Sequence, residues 1–141
     1  MSFDTLIKNG EIIDGTGRLR YKGDIGIFEG KITAMGHLAE AKAARTVDAT
    51  GLIVAPGFID MHSHSDMSLF DDPGGESKAH QGVTTEVTGN CSFSPFPILG
   101  TATPGSRLGW KYTWGHWTDL DGWASHLETK EISTTICCPN N

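Results

Sequence analysis

The sequence predicts an α/β protein in which a β-rich first segment precedes the opening units of a parallel sheet. Residues 24–35 alternate between apolar and polar side chains, which indicates strands with one buried face. Residues 52–62 are almost continuously apolar apart from a break at Pro56 and Gly57, and such a strand is typical of a sheet covered on both faces. A stretch with helix-forming residues then leads to a second strand over 82–88, which is rich in β-branched residues. This succession of strand, helix and strand predicts a βαβ unit.

Two turn signals divide the first segment. Asn9-Gly10 readily supplies the two positive φ angles of a type I′ turn, so a hairpin is predicted there. Glu29-Gly30 predicts a second hairpin between two alternating stretches. The Ala-rich stretch 38–45 predicts one short helical turn, and residues 46–49 predict another strand.

The second segment continues with helix and strand signals. Residues 72–81 contain good helix formers. Thr118 or Asp119 can cap a helix that runs to about Lys130, with Trp123 and Leu127 one turn apart on its apolar face. A third strand is predicted over 132–136. Residues 92–115, rich in Gly, Pro, Ser and Thr, predict a long loop after a strand, where α/β enzymes build their sites.

Composition and charge exclude several classes of protein. The net charge is −6, and the basic residues are scattered, so neither nucleic acid nor an anionic membrane is an expected partner. The first residues have no basic start and no apolar stretch, so no signal peptide is predicted. Three cysteines, two of them adjacent, do not form a disulfide framework. These observations favour a reducing cytoplasm.

The most informative stretch is Asp60-Met61-His62-Ser63-His64-Ser65-Asp66. On a strand, alternate side chains point to one face, so His62 and His64 are expected to project together. Two imidazoles at this spacing can reach one cation at about 2.0–2.1 Å per Zn–N bond. A His-x-His pair is more often a surface feature, but this pair closes an apolar strand, where unpartnered histidines would lose hydrogen bonds.

Cys91 follows the next predicted strand. A single cysteine is more often a small buried apolar residue than a ligand. The carboxyl ends of parallel strands meet at one edge, however, and a thiolate with imidazoles suits zinc. The sequence therefore predicts that His62, His64 and Cys91 belong to one metal site.

These residues also carry a family resemblance. The stretch 54–64 resembles the first barrel strand of the amidohydrolase superfamily, and the stretches 81–87 and 89–95 resemble its D-aminoacylase (N-acyl-D-amino-acid deacylase) branch. The branch usually has glycine after the cysteine, where this chain has Ser92. The resemblance covers about residues 3–97.

The resemblance implies a fold and an incomplete site. Residues 1–52 would be the N-terminal part of a small β-sandwich domain, and residues 53–141 the first part of a TIM-like (β/α)8 barrel. Since such a barrel needs about 250 residues, a truncated enzyme is expected. His62, His64 and Cys91 match the family's metal ligands, and Zn2+ is the implied cofactor. The remaining ligands and the catalytic aspartate would lie beyond Asn141.

The implied activity is hydrolysis of a non-peptide C–N bond in a small N-acyl amino acid. One alternative is a hydantoinase- or dihydroorotase-like cyclic amidase, although those relatives usually use a modified lysine as bridging ligand. Another is a non-catalytic partial chain, and this chain alone is expected to be inactive. The oligomeric state is not predicted. The tryptophan-rich stretch either lines a substrate mouth or packs a long loop against the barrel, and packing is favoured; its members are Trp110, Trp114, Trp117 and Trp123. Solvated or core positions are expected for the other histidines, which are His37, His80, His116 and His126.

Overall fold

A computed structural model describes residues 2–91, 94–96 and 117–138. The chain divides into two compact units, Met1–Pro56 and Gly57–Asn141. Sequence analysis places the boundary after residue 52, whereas the structural division follows Pro56. The difference arises because Ile53–Val54 pairs with the first strand of the first unit.

The first unit is a five-stranded sheet around a long central strand. The order is β3-β2-β1-β4, with β5 also paired to β1. β1 pairs with β2 in antiparallel fashion, and with β4 and β5 in parallel. The strands are β1 (Ser2–Ile12), β2 (Tyr21–Phe28), β3 (Lys31–Gly36), β4 (Lys42–Asp48) and β5 (Ile53–Val54).

The hairpin predicted at Asn9-Gly10 is wrong. β1 runs without interruption through both residues, and the register against β2 shifts between Ile7 and Gly10. The positive φ of Asn9, 63°, therefore serves a β-bulge instead of a turn. The strand continues because it has a partner on each side, and the Asn9 side chain donates to Asp48 on β4 at 3.0 Å.

The hairpin predicted at Glu29-Gly30 is confirmed. Both residues have positive φ, 49° and 71°, between the antiparallel strands β2 and β3. The helical turn predicted for residues 38–45 is wrong, because β4 begins at Lys42. The preference of alanine for helix over strand is weak, and parallel pairing of β4 with β1 overrides it.

Asp24 ties three parts of the first unit together. Its side chain is buried and accepts hydrogen bonds from the backbone amides of Asn9 and Leu38, each at 2.9 Å. Burial favours the neutral acid, but these bonds outweigh it and hold the pKa of Asp24 below its ordinary value. The bulge in β1 and the end of β3 are thereby joined through one carboxylate.

The second unit contains the predicted βαβ arrangement. A parallel sheet has the order β6-β7-β8. Between these strands lie two single helical turns and one longer helix. The elements are β6 (Phe58–Asp60), α1 (Ser65–Ser68), α2 (Glu76–Ala79), β7 (Val83–Val87), α3 (Leu120–Glu128) and β8 (Thr135–Cys137).

The helices of this unit follow from the sequence, with α1 as an addition. Asp119 caps α3 by accepting from the Gly122 amide at 2.9 Å, as predicted. Trp123 and Leu127 are both buried in a cluster with Met67 of α1 and with Leu69 and Phe70, which follow that helix. No helix among the described residues has the length and apolar character needed to cross a membrane.

The first strand of this sheet is shorter and more exposed than predicted. β6 ends at Asp60, two residues before His62, and Phe58 and Ile59 are 64 % and 59 % exposed. The expected burial on both faces is therefore wrong for this strand among the described residues.

Gly57 allows β6 to approach β7 closely. A Cβ at this position would lie 2.7 Å from the Thr84 Cβ, well inside van der Waals contact. Thr84 is the additional residue where the register shifts between Phe58 and Ile59. The Pro-Gly break therefore has a packing role at the start of β6.

We expect Asp24→Asn to lower the free energy of unfolding by about 1.5–3 kcal/mol at pH 7, because it removes hydrogen bonds to a charged acceptor. A carboxyl with a depressed folded pKa stabilises above its unfolded pKa, and this contribution disappears as pH falls through the folded value. The wild-type and variant stabilities should therefore converge as the pH falls through the lowered folded pKa of Asp24. Urea denaturation followed by circular dichroism measures this, with the exposed Glu40→Gln as control.

We expect Gly57→Ala to destabilise the second unit by about 1–3 kcal/mol, because the added methyl overlaps Thr84. Gly74→Ala is the matched control, since the nearest atom to its Cβ would be Glu76 Cγ at 3.5 Å. Thermal unfolding of both variants gives the comparison. Equal midpoints would contradict the close-approach role of Gly57.

Candidate metal centre

His62 and His64 lie on the turn that follows β6. The Asp60 carboxylate accepts a hydrogen bond from the His62 amide at 3.1 Å, which ends the extended conformation. His64 occupies the N-cap position of α1, with φ −123° and ψ 26°. The expectation that strand alternation aligns the two histidines is therefore wrong, because the strand has ended before either of them. The turn brings them together instead.

Cys91 lies on the corresponding turn after β7. Gly89 has a φ of 80°, a conformation that favours glycine. The Asn90 side chain donates to the Val87 carbonyl at 2.9 Å and holds the turn against the strand end. Cys91 itself has a φ of 56°, which is uncommon for a residue with a side chain. Ser92, where the chain departs from the D-aminoacylase pattern, lies outside the described residues.

The three predicted ligand residues come together. One donor atom from each of His62, His64 and Cys91 lies within 4.8 Å of the others. The His62 Nε2 and Cys91 Sγ atoms are 3.0 Å apart, and the two imidazole centroids are 5.4 Å apart at 73°. Two imidazoles and a thiol form a donor set that suits zinc.

The other histidines do not join this cluster. Over residues 2–91, 94–96 and 117–138, His62, His64 and Cys91 form the one group of three or more potential ligands. His37 and His80 are exposed. The His126 ring packs in a tilted orientation against Phe70 and Trp117, in agreement with the predicted core role. His116 lies outside the described residues.

A buried polar network supports the histidine turn, and sequence analysis did not find it. Glu86 of β7 is fully buried, and its Oε2 accepts from the hydroxyls of Ser63 and Ser65 at 2.5 and 2.7 Å. Lys78 lies 3.8 Å from the same oxygen and also pairs with Asp60. A glutamate inside the β-branched stretch 83–88 was the available signal, since a charged residue is rarely buried without a partner.

Asp66 is a second buried carboxyl near the site. Burial raises the pKa of Asp66 to about 6. The electrostatic attraction of His64 and a hydrogen bond from the Gly89 amide lower the pKa, but by less than burial raises it. Its Oδ2 has no hydrogen-bond partner among the described residues. Asp66 of α1 thus follows the histidine turn in the chain and is hydrogen-bonded to the turn that carries Cys91.

An open cavity of about 360 Å³ adjoins the histidine turn. Its walls include both histidines, Lys78 and Glu86. Hydroxyl groups line much of the remainder, from Ser63, Ser65, Ser68 and Ser77. The second unit thus has a polar recess next to the candidate ligands.

The predicted loop 92–115 and the four tryptophans are only partly within the described residues. Trp117 and Trp123 are buried, and Trp117 stacks on Phe70 with centroids 5.2 Å apart, so packing is confirmed for these two. Trp110 and Trp114, and the loop 92–115 apart from 94–96, lie outside the described residues.

Curated proteins similar to this chain include two deacylases of N-acyl-D-amino acids. The chain is 47 % identical over 107 residues to N-acyl-D-glutamate deacylase of Alcaligenes xylosoxydans xylosoxydans, and 43 % identical over 102 residues to the D-aminoacylase of that organism. These regions cover 74 % and 72 % of this chain but only 22 % and 21 % of the relatives. The chain therefore spans about a fifth of the length of the curated relatives that it matches.

A solved structure extends the similarity to the fold. N-acyl-D-glutamate deacylase from Bordetella bronchiseptica, complexed with zinc and a phosphonate inhibitor that mimics the tetrahedral intermediate, superposes with a TM-score of 0.84. The sequences are 34 % identical, and the superposition covers 98 % of this chain and 29 % of that one. The amidohydrolase family pattern matches residues 45–130, more than half of the chain. The chain belongs to the amidohydrolase family.

Proposed function

We propose that this chain supplies the first metal ligands of a zinc-dependent amidohydrolase that hydrolyses N-acyl-D-amino acids. The observation that carries the proposal is the convergence of His62, His64 and Cys91, whose donor atoms lie within 4.8 Å of one another. Two adjacent parallel strands deliver them to one edge of a sheet, where barrel enzymes place their active sites.

The two units correspond to the two domains of such an enzyme in this proposal. The five-stranded first unit is the N-terminal part of a small β-sandwich domain. The parallel second unit provides the first strands of a (β/α)8 barrel. Support comes from the parallel order β6-β7-β8 and from the short helices between those strands.

Two imidazoles and one thiolate suit zinc, and three protein ligands leave a coordination position for water or substrate. Bound zinc lowers the pKa of a coordinated water, polarises an amide carbonyl and stabilises an oxyanion. His62, His64 and Cys91 would hold the ion, and all three residues are exposed. A base is also needed to accept and return a proton, and in this proposal an aspartate from another part of the enzyme has that role.

The substrate class rests on the similarity to two deacylases of D-amino-acid derivatives. In the amide hydrolysis proposed here, water adds to the acyl carbon, the C–N bond breaks, and a carboxylate and a free D-amino acid result. Cyclic amidases of the hydantoinase type are the alternative. The position of Cys91 beside the His62 imidazole counts against them, because they usually use a modified lysine as the bridging ligand.

We expect the chain to bind Co2+, as a probe for zinc, with absorption from a cobalt–thiolate bond. Cys91→Ala should abolish this absorption, and His62→Ala should weaken binding by more than the roughly 10–100-fold typical of outer-shell changes. Cys137→Ala and His80→Ala are matched controls, since both residues are exposed and outside the cluster. A thiolate band that persists in Cys91→Ala would contradict the assigned ligand set.

We expect a chimera to show deacylase activity that depends on this chain's ligands. In it, this chain replaces the corresponding first part of the Alcaligenes D-aminoacylase. It should release D-amino acid from N-acetyl-D-amino acids, and Cys91→Ala should remove most turnover. The 141-residue chain alone should release none. A folded, metal-loaded chimera without activity, or with unchanged activity in Cys91→Ala, would contradict the proposed function.

A further inference from the structure

The Glu86 carboxylate accepts hydrogen bonds from the two serines that alternate in sequence with His62 and His64. Glu86 Oε2 accepts from Ser63 at 2.5 Å and from Ser65 at 2.7 Å. His64 lies between these serines in the chain, and His62 directly precedes the first of them. One oxygen atom therefore anchors the backbone on both sides of His64.

The remaining contacts of Glu86 keep this oxygen in place. Its Oε1 accepts from the Thr134 hydroxyl, just before β8, at 3.3 Å. Lys78 lies 3.8 Å from Oε2, and its hydrogen bond to Asp60 and the nearby charge of Glu86 raise its pKa, so it stays a cation there. Burying a carboxylate is costly without such compensation, so a glutamate with no exposed surface at this position requires these partners.

The turn that carries the histidines needs support from outside itself. The turn begins after β6 ends at Asp60, so hydrogen bonds between neighbouring strands do not define its conformation. Its backbone joins β7 through the Ser63 amide, which donates to the Val87 carbonyl at 3.0 Å. The two serine hydroxyls add the side-chain connection, and both converge on Glu86.

We propose that Glu86 is a positioning residue that sets the separation of the His62 and His64 imidazoles through the hydroxyls of Ser63 and Ser65. This inference rests on the proposed metal site. Glu86 does not bind the ion; it restricts the conformations of the turn, so that both imidazoles already face Cys91 before an ion arrives. Outer-shell hydrogen bonds commonly act in this way on metal ligands.

The test is a Co2+ titration of the complete chain and its variants, read by binding affinity and by the cobalt absorption spectrum. Glu86→Gln keeps the size of the side chain but replaces one acceptor oxygen with a donor. We expect about 10–100-fold weaker binding and an altered ligand-field spectrum. The matched control is Glu128→Gln, an exposed glutamate at the end of α3, which should behave as the wild type.

Ser65→Ala provides a second variant, which leaves the ion pair between Glu86 and Lys78 intact. It should retain the far-UV circular dichroism of the wild type, weaken Co2+ binding several-fold and shift the spectrum in the same direction as Glu86→Gln. A wild-type spectrum and affinity in Ser65→Ala would overturn the positioning role, even if Glu86→Gln binds poorly. A wild-type chain that shows no cobalt–thiolate absorption would overturn the proposed site itself, and the positioning role with it.

Discussion

The parallel pairing of β6 with β7 is the constraint on which the candidate metal centre depends. Parallel strands end at the same edge of a sheet, so the turns after Asp60 and Val87 must lie side by side. The first turn carries the histidines, and the second carries Cys91. An antiparallel arrangement of these strands would place the two turns at opposite ends and leave no common site.

Close contact at the beginning of the strands supports that pairing at the other end. Gly57 has no Cβ, so β6 can lie against Thr84. The bulge at Thr84 then sets the register that aligns Asp60 with Glu86. Both carboxylates consequently reach Lys78, and the charge of Glu86 is compensated within the sheet.

In the proposed positioning role, burial of Glu86 lowers the stability of the protein but fixes the conformation of the histidine turn. An apolar side chain in the same place would avoid the cost of desolvation. It could not hold two hydroxyls of the histidine turn. The first unit uses the same principle, because Asp24 binds two backbone amides and joins the Asn9 bulge to the segment after β3.

Local patterns in the sequence were sufficient for several features of this protein. The Glu29-Gly30 hairpin and the Asp119 cap were predicted because each depends on residue type and short spacing. The convergence of His62, His64 and Cys91 was predicted because two successive parallel strands end at the same edge of a sheet. The role of Asn9-Gly10 was not predicted correctly. A positive φ at Asn9 is compatible with a turn or with a β-bulge, and the partners on both sides of β1 decide for the bulge. The turn geometry of the histidines and the network around Glu86 were likewise decided by tertiary structure. They depend on contacts between residues more than twenty positions apart, which no local pattern specifies.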